Sequence, residues 1–241
     1  MTDRLRKLGI VMTVVGVVFA AVGVFAFTQV QAGSASLQAF SEAQNVTLSY
    51  NEDGQLIDRG QTEGADAIMD LLVNEWGFSV KDSELDPNDP LVNTASEYMF
   101  QMATVGYHTL HSTQTVVLAE DVEYNDELFP AGEYELSVRE VGDRGELGGY
   151  WTDFDRSHPI EGPARSQAWS GTAHGLFGEL GVGTVTASAL QLGQGLSALI
   201  FGLGLTIMLL GVGMFWVGKG TEEDTYHVLV DSAPKPEPAG I

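Results

Sequence analysis

Cysteine is absent from the 241 residues of this sequence, and basic residues are few. The lack of cysteine excludes disulfide bonds, thiolate metal sites, iron–sulfur clusters and lipid-modified cysteine. Only 11 Lys and Arg stand against 33 Asp and Glu, which gives a formal net charge of −22. Because so acidic a surface repels nucleic acid and anionic lipid headgroups, we expect no nucleic-acid partner.

Charge is missing altogether from two long apolar runs, Leu8–Thr28 and Leu192–Val217. As a helix, the first run would span about 31 Å, close to the hydrocarbon thickness of a bilayer. The second run is long enough to cross with some tilt. We therefore predict transmembrane helices at residues 8–28 and 190–217, in contact with membrane lipid. Neither run holds the ionisable groups that ion and proton pathways normally need, so a transporter made of this chain alone is not expected.

Basic residues near the two runs predict how the chain is threaded through the membrane. They are Arg4, Arg6 and Lys7 before the first run, and Lys219 after the second. Basic residues stay on the cytoplasmic side. We therefore predict a plasma-membrane protein with both termini in the cytoplasm, residues 1–7 as a short N-terminus and residues 218–241 as a disordered tail.

The segment that joins the runs, residues 29–189, is the predicted extracytoplasmic domain. It carries 27 Asp and Glu against 6 Lys and Arg, a net charge of −21. One alternative stays open, because Val30-Gln31-Ala32 is similar to a signal-peptidase site. Cleavage there would leave a protein with one span, and mass spectrometry of the mature N-terminus distinguishes the two cases.

Small residues recur at regular spacing in both runs, which predicts close helix packing. In the first run they fall at spacings of 4, 3, 4 and 3, on one helix face. Small residues let helix backbones approach closely in lipid, where packing drives association. The contact is expected either within the chain or with a partner. The predicted packing residues are Gly9, Thr13, Gly16, Ala20, Gly23, Gly195, Gly202, Gly204 and Gly211.

Residues between the runs alternate between helical and strand periodicity. The predicted elements are a hairpin around Asn51–Gly54, helices at Glu63–Trp76 and from Pro90 to about Ser112, β-ribbon strands at Thr115–Tyr124 and Gly132–Val141, a loop over 142–163, and a helical approach to the second run that is broken at Gly181 and Gly183. The predicted fold class is thus a mainly α membrane protein, in which two transmembrane helices flank a mixed α+β extracytoplasmic domain with a β-ribbon.

Two histidines three residues apart, His108 and His111, are the first candidates for chemistry. Met99 and Met102 lie on the same predicted helix, and thioether and imidazole ligands together suit copper. Met99 falls opposite His108 on the helical wheel, however, so one helix cannot bring all four side chains together. A zinc protease would need histidines four apart with a glutamate after the first. We keep these four residues as candidate metal ligands and assign no cofactor and no catalytic residue.

Several short motifs give the sequence a family resemblance. They are Val46-Thr47-Leu48-Ser49, Ala65-Asp66-Ala67-Ile68, Ser83-Glu84-Leu85-Asp86-Pro87-Asn88-Asp89-Pro90-Leu91, and Thr94-Ala95, between two glycine-rich spans. The chain resembles small actinobacterial two-span membrane proteins that often carry the name aromatic ring-opening dioxygenase. The resemblance implies an envelope protein of unknown function. We interpret the enzyme name as an artefact, because the iron type of that enzyme needs two histidines and a carboxylate presented together.

Three functions remain as hypotheses. The leading one is a non-enzymatic, membrane-anchored envelope protein, a scaffold or accessory subunit that contacts a protein partner, or a second copy of itself, through its outer domain. The second is an extracytoplasmic metal-binding protein. The third is a metal-dependent ring-opening dioxygenase, which would need His108 and His111 in a ligand set.

Overall fold

A computed structural model of the chain describes residues 2–142 and 153–231. It confirms the coarse fold class: the described part is mostly helical, with two long apolar helices and a small β region. The elements are α1 (Thr2–Gln44), α2 (Thr62–Asp70) with a π-helical turn (Leu71–Glu75), a 3-10 turn (Asp82–Glu84), α3 (Ala95–Leu110), β1 (Thr113–Leu118), β2 (Val122–Tyr124), β3 (Glu127–Phe129), β4 (Gly132–Ser137), α4 (Val138–Gly142), α5 (Glu161–Ala168) and α6 (Gly171–Asp231).

The chain divides into two compact units. The first, which we call the helix pair, consists of the residues up to 35 and those from 189 onward. The second, which we call the central domain, consists of residues 36–188. Both α1 and α6 contribute to each unit.

The helix pair exposes most of its apolar side chains. Both long helices have the length and composition to cross a membrane. The core helix of a soluble protein would be mostly buried, whereas only 11% of the most apolar stretch of each helix is buried. Phe25 is 65% exposed on α1, and Trp216 is 73% exposed on α6. Such a surface is typical of helices whose solvent is lipid.

Both long helices extend beyond the predicted spans. Helix α1 continues to Gln44, so Val30-Gln31-Ala32 lies inside a continuous helix. Helix α6 runs without interruption through Gly181 and Gly183, where the sequence predicted a break. Its backbone stays helical to Asp231, although a disordered tail was predicted from residue 218; residues 232–241 lie outside the described part. Glycine weakens a helix by about 1 kcal/mol but does not end it where packing compensates.

The core of the central domain forms where α2, its π-helical turn and α3 pack together. Ile68, Leu72 and Ala103 are completely buried there. The predicted start of α3 near Pro90 is wrong, because the helix begins at Ala95. The carbonyl of Pro90 accepts the backbone N–H of Leu48 at 2.8 Å, which holds this segment extended beside the first hairpin.

The β-ribbon is a hairpin in two parts. Strands β1 and β4 pair antiparallel, from Thr113 opposite Ser137 to Leu118 opposite Gly132. Strands β2 and β3 pair beyond them and close on Asn125 and Asp126, both with positive φ, as a tight hairpin turn requires.

Several boundaries of the ribbon region differ from the prediction. The strand predicted at Thr115–Tyr124 begins at Thr113 and is interrupted between Leu118 and Val122. The second long strand ends at Ser137 and not at Val141, because Val138 and Val141 turn into α4 and are buried with Trp169. The predicted loop over 142–163 lies partly outside the described residues, and α5 begins at Glu161 within its range.

Candidate functional site

Three glycines of α1 bring its backbone against that of α6 within the helix pair. A Cβ atom on Gly9 would lie 2.6 Å from the carbonyl oxygen of Gly211. On Gly16 it would lie 2.7 Å from the carbonyl oxygen of Gly204, and on Gly23 it would lie 2.6 Å from the backbone nitrogen of Phe201. Any side chain at these positions would force the helices apart, because packing atoms cannot overlap.

The α6 side of this contact is also made of glycine. A Cβ on Gly211 would lie 2.5 Å from the backbone nitrogen of Thr13, and one on Gly204 would meet the backbone nitrogen of Ala20. The Thr13 side chain is held in place within α1, since its hydroxyl donates a hydrogen bond to the carbonyl of Gly9 at 2.8 Å. We call this backbone contact the glycine seam. The seam itself consists of uncharged residues, and at one end of it the Arg6 guanidinium of α1 lies 5.7 Å from the ring centroid of Phe215 on α6.

Two predicted packing residues lie elsewhere. A Cβ added to Gly195 or Gly202 would meet nothing within 4 Å. Gly202 precedes Gly204 by two residues, about 200° around the helix, so the two cannot share a face. Glycine content alone predicts close packing, but it does not say which face of the helix is used.

In the central domain, Glu84 holds the loop before α3 against the first turn of that helix. Its carboxylate accepts the backbone N–H of Ser96 at 3.0 Å and the Ser96 hydroxyl at 2.7 Å. Lys81 completes an ion pair with it at 3.2 Å. The Glu84 side chain is only 9% exposed, whereas the Lys81 side chain is 57% exposed, so the ion pair lies at the surface.

Glu97 closes the N-terminus of α3 in a capping box with Thr94. One carboxylate oxygen accepts the backbone N–H groups of Asn93 and Thr94 at 3.0 and 2.9 Å, and the Thr94 hydroxyl at 2.8 Å. Glu97 is 2% exposed, and this burial raises its pKa. Burial, together with the charges of Glu97 and Asp86, also raises the pKa of Tyr50 to about 12.

These contacts account for the longest motif of the family resemblance. Within it, Glu84 accepts from Ser96, and the Asp86 carboxylate accepts the backbone and side-chain N–H groups of Asn88 at 2.8 and 2.9 Å. Thr94 supplies the cap of α3. Each of these polar residues therefore shapes the loop and the start of the helix.

Tyr98 links three helices inside the central domain. Its hydroxyl forms a 2.8 Å hydrogen bond with Ser41 of α1, and both residues are buried. Gly183 of α6 lies against its ring, where an added Cβ would come within 2.6 Å. Sequence reasoning missed this contact, because nothing local marks a pairing between residues 57 positions apart.

The two candidate histidines have separate partners. The Nε2 atom of His108 lies 3.0 Å from the Asp58 carboxylate. His111 stacks on Tyr107 with ring centroids 4.1 Å apart, and its Nδ1 donates to the Tyr107 carbonyl at 2.8 Å. Its Nε2 lies 2.8 Å from the Arg139 guanidinium, which donates to it.

The candidate methionines do not join the histidines in a ligand set. Met99 and Met102 pack against the hydrophobic core. Within residues 2–142 and 153–231, no three His, Asp or Glu side chains come together in a way that could hold a metal ion. The arrangement therefore gives no support to copper binding or to an iron-dependent ring-opening site.

The fold and its contacts define a class: a mainly helical protein with two apolar helices that could span a membrane, joined to a small mixed domain. No family model matches the chain, no curated protein matches it, and no solved structure matches it.

Proposed function

We propose that this chain is a membrane-anchored envelope protein without enzymatic activity, which acts as a scaffold or accessory subunit. Both termini lie in the cytoplasm in this proposal, and the central domain contacts a protein partner outside the plasma membrane. One observation carries it: two helices long enough to cross a bilayer leave most of their apolar side chains exposed and contact each other through glycine backbone.

The contacts of the polar residues support a structural role. The carboxylates of Glu84 and Glu97 accept hydrogen bonds at the start of α3, and His108 and His111 are held by neighbouring side chains or backbone. A protein built in this way presents a stable shape and a strong negative charge. Its outer surface suits a basic partner, since opposite charges steer association.

The topology is tested by fusing a reporter active only outside the cytoplasm to the central domain after Leu118, at the end of β1, and in parallel to the C-terminus. The proposal expects activity from the first fusion and none from the second, with the protein retained in membranes after alkaline extraction. A cytoplasmic central domain, or a chain extracted without detergent, would refute the membrane part of the proposal. Affinity purification in mild detergent then tests the scaffold part, which fails if the chain isolates alone as a monomer.

A further inference from the structure

Helix α6 carries a second apolar face that the contact with α1 leaves open. Its apolar residues are spaced alternately three and four apart, a seven-residue repeat, and they are Val182, Val185, Ala189, Leu192, Leu196, Leu199 and Leu203. Their exposed fractions are 67% for Val182, 69% for Val185, 65% for Leu192, 50% for Leu196, 57% for Leu199 and 47% for Leu203. We call this the open face of α6.

The glycines of α6 fall into two groups, those that contact another part of the chain and those that do not. Gly183, Gly204 and Gly211 are each in contact with another part of the chain. Gly175, Gly178, Gly195, Gly202 and Gly213 have nothing within 4 Å of an added Cβ, and all of them fall on or beside the open face. An exposed glycine in a helix costs about 1 kcal/mol relative to alanine, so contacts within the chain do not explain why so many occur here.

Lipid can cover only part of the open face. From Val217 back to Val182 the helix rises about 52 Å, whereas the hydrocarbon core is about 30 Å thick. With Val217 at one boundary of the bilayer, as the proposed function requires, Val182 and Val185 stand in water. Two aliphatic side chains in line with a continuous apolar stripe are then exposed, an arrangement typical of a protein contact.

A second copy of the same chain has the properties that this face requires. The covering element must be a helix with apolar residues at heptad spacing through both lipid and water, and α6 is such a helix. Two copies inserted in the same direction place their α6 helices parallel, so each position meets its own equivalent about a twofold axis. A seam along these side chains buries roughly 600 Å² per copy, at the lower end of the size range of specific interfaces.

Charge favours the same surface. Residues 29–189 carry a net charge of −21, so two copies repel each other over most of their outer surface. From Gln167 to Gly218 the only charged residue is Glu179, which is not part of the stripe. We therefore propose that the protein is a parallel homodimer joined along the open face of α6. This inference rests on the proposed membrane anchoring and adds a second copy of the chain as a partner along α6.

The absence of cysteine allows a direct test in the full-length protein. Val185→Cys and Leu199→Cys place one thiol on the open face, in the water and lipid portions respectively. Leu176→Cys is the matched control, because Leu176 is 38% exposed but lies about 120° from Val182 and about 180° from Val185 around the helix. Each variant is oxidised mildly in native membranes, and alkaline extraction of the same samples reports membrane integration. A disulfide forms only when the Cβ atoms approach to about 4 Å.

The proposal expects a covalent species of twice the chain mass from both face variants, in at least tenfold higher yield than from the control. Monomers from both face variants in an integrated protein would overturn the dimer and leave the membrane anchor intact. The dimer would also be overturned by a cross-link at Leu199→Cys alone or by equal yields from all three variants. An adduct of another mass would overturn it too, and would indicate a different membrane protein on this face. A chain that fails to integrate would refute the proposed function, and the dimer with it.

A second measurement does not depend on thiol chemistry. Val185→Glu places a carboxylate in the part of the contact that lies outside the lipid, where it meets its own equivalent across the twofold axis. The purified variant is expected to lose the dimeric mass in mild detergent, while Leu176→Glu keeps it. A dimer of unchanged stability in the Val185→Glu protein contradicts the assigned face.

Discussion

The contacts inside the helix pair differ in kind from the contacts inside the central domain. In the helix pair, α1 and α6 contact each other through glycine backbone, as at Gly16 and Gly204, where an added side chain would not fit. In the central domain, buried carboxylates and a tyrosine hydroxyl satisfy specific donors and acceptors, as at Glu97 and Tyr98. The comparison shows that one chain uses close backbone contact in one unit and buried hydrogen bonds in the other. Substitutions in the two units should therefore fail for different reasons.

The largest effect is expected in the glycine seam. Gly16→Leu would place a side chain where even a Cβ lies 2.7 Å from the Gly204 carbonyl oxygen, so α1 and α6 must separate. Overpacking of this kind costs about 3 kcal/mol or more. Thermal unfolding in detergent should show a large fall in the melting temperature of the helix pair. Ala21→Leu, on an exposed position of the same helix, is the matched control and should change little. Similar losses from both variants would contradict the assigned seam.

In the central domain, the capping carboxylate should give the next largest effect. Glu97→Ala leaves two backbone N–H groups and the Thr94 hydroxyl without their acceptor, at a cost of about 2 kcal/mol. Glu97→Gln keeps an oxygen for these donors and should lose less than half as much. Chemical denaturation at neutral pH measures both variants. Equal destabilisation by alanine and glutamine would show that the hydrogen bonds do not matter.

Comparison of Glu97→Gln with the parent protein also tests how stability depends on pH. Burial raises the pKa of Glu97 above its ordinary value of 4.5, so between the unfolded and folded pKa values the folded state holds more protons. The contribution of Glu97 to stability is therefore full below the unfolded pKa and is lost as pH rises through the folded pKa. Glu97→Gln should lack this decline, so its stability relative to the parent protein should rise across that interval. A constant difference at all pH values would contradict the raised pKa.

The buried bond between Ser41 and Tyr98 should contribute about 1 kcal/mol, the usual net value of one neutral hydrogen bond. Ser41→Ala and Tyr98→Phe each remove one partner, and the double variant completes a cycle that isolates their coupling. The double variant is expected to be destabilised by less than the sum of the single ones. Additive losses would mean that the two hydroxyl groups do not interact.

Some of these features were predictable and others were not, for physical reasons. The two apolar helices follow from charge missing over Leu8–Thr28 and Leu192–Val217, a signal contained within each segment. The start of α3 was missed, because Asp89 and Pro90 suit a helix start locally while the pairing of Pro90 with Leu48 holds that segment extended. A choice between local and distant partners cannot be made from spacing alone. That Gly204 and Gly211 face α1, and Gly195 and Gly202 do not, could not be predicted for the same reason.

The smallest effect is expected at His108, where the metal hypothesis also meets its test. The pair with Asp58 is partly exposed, with 26% of the His108 side chain and 14% of the Asp58 side chain accessible. Such pairs contribute about 0.5 kcal/mol, so Asp58→Asn and His108→Gln should each change the free energy of unfolding by less than about 1 kcal/mol.

A metal ion that binds only the folded state would raise the melting temperature of the protein. Since no set of three metal ligands is assembled in the described residues, added copper or zinc should leave the melting temperature unchanged. The control is His111→Gln, which breaks the contact with Arg139 and leaves the Asp58 pair in place. A metal-dependent rise in melting temperature that disappears in both histidine variants would restore the metal-binding alternative. A rise that disappears only in His108→Gln would instead place a site at Asp58, because that carboxylate is the nearest further ligand.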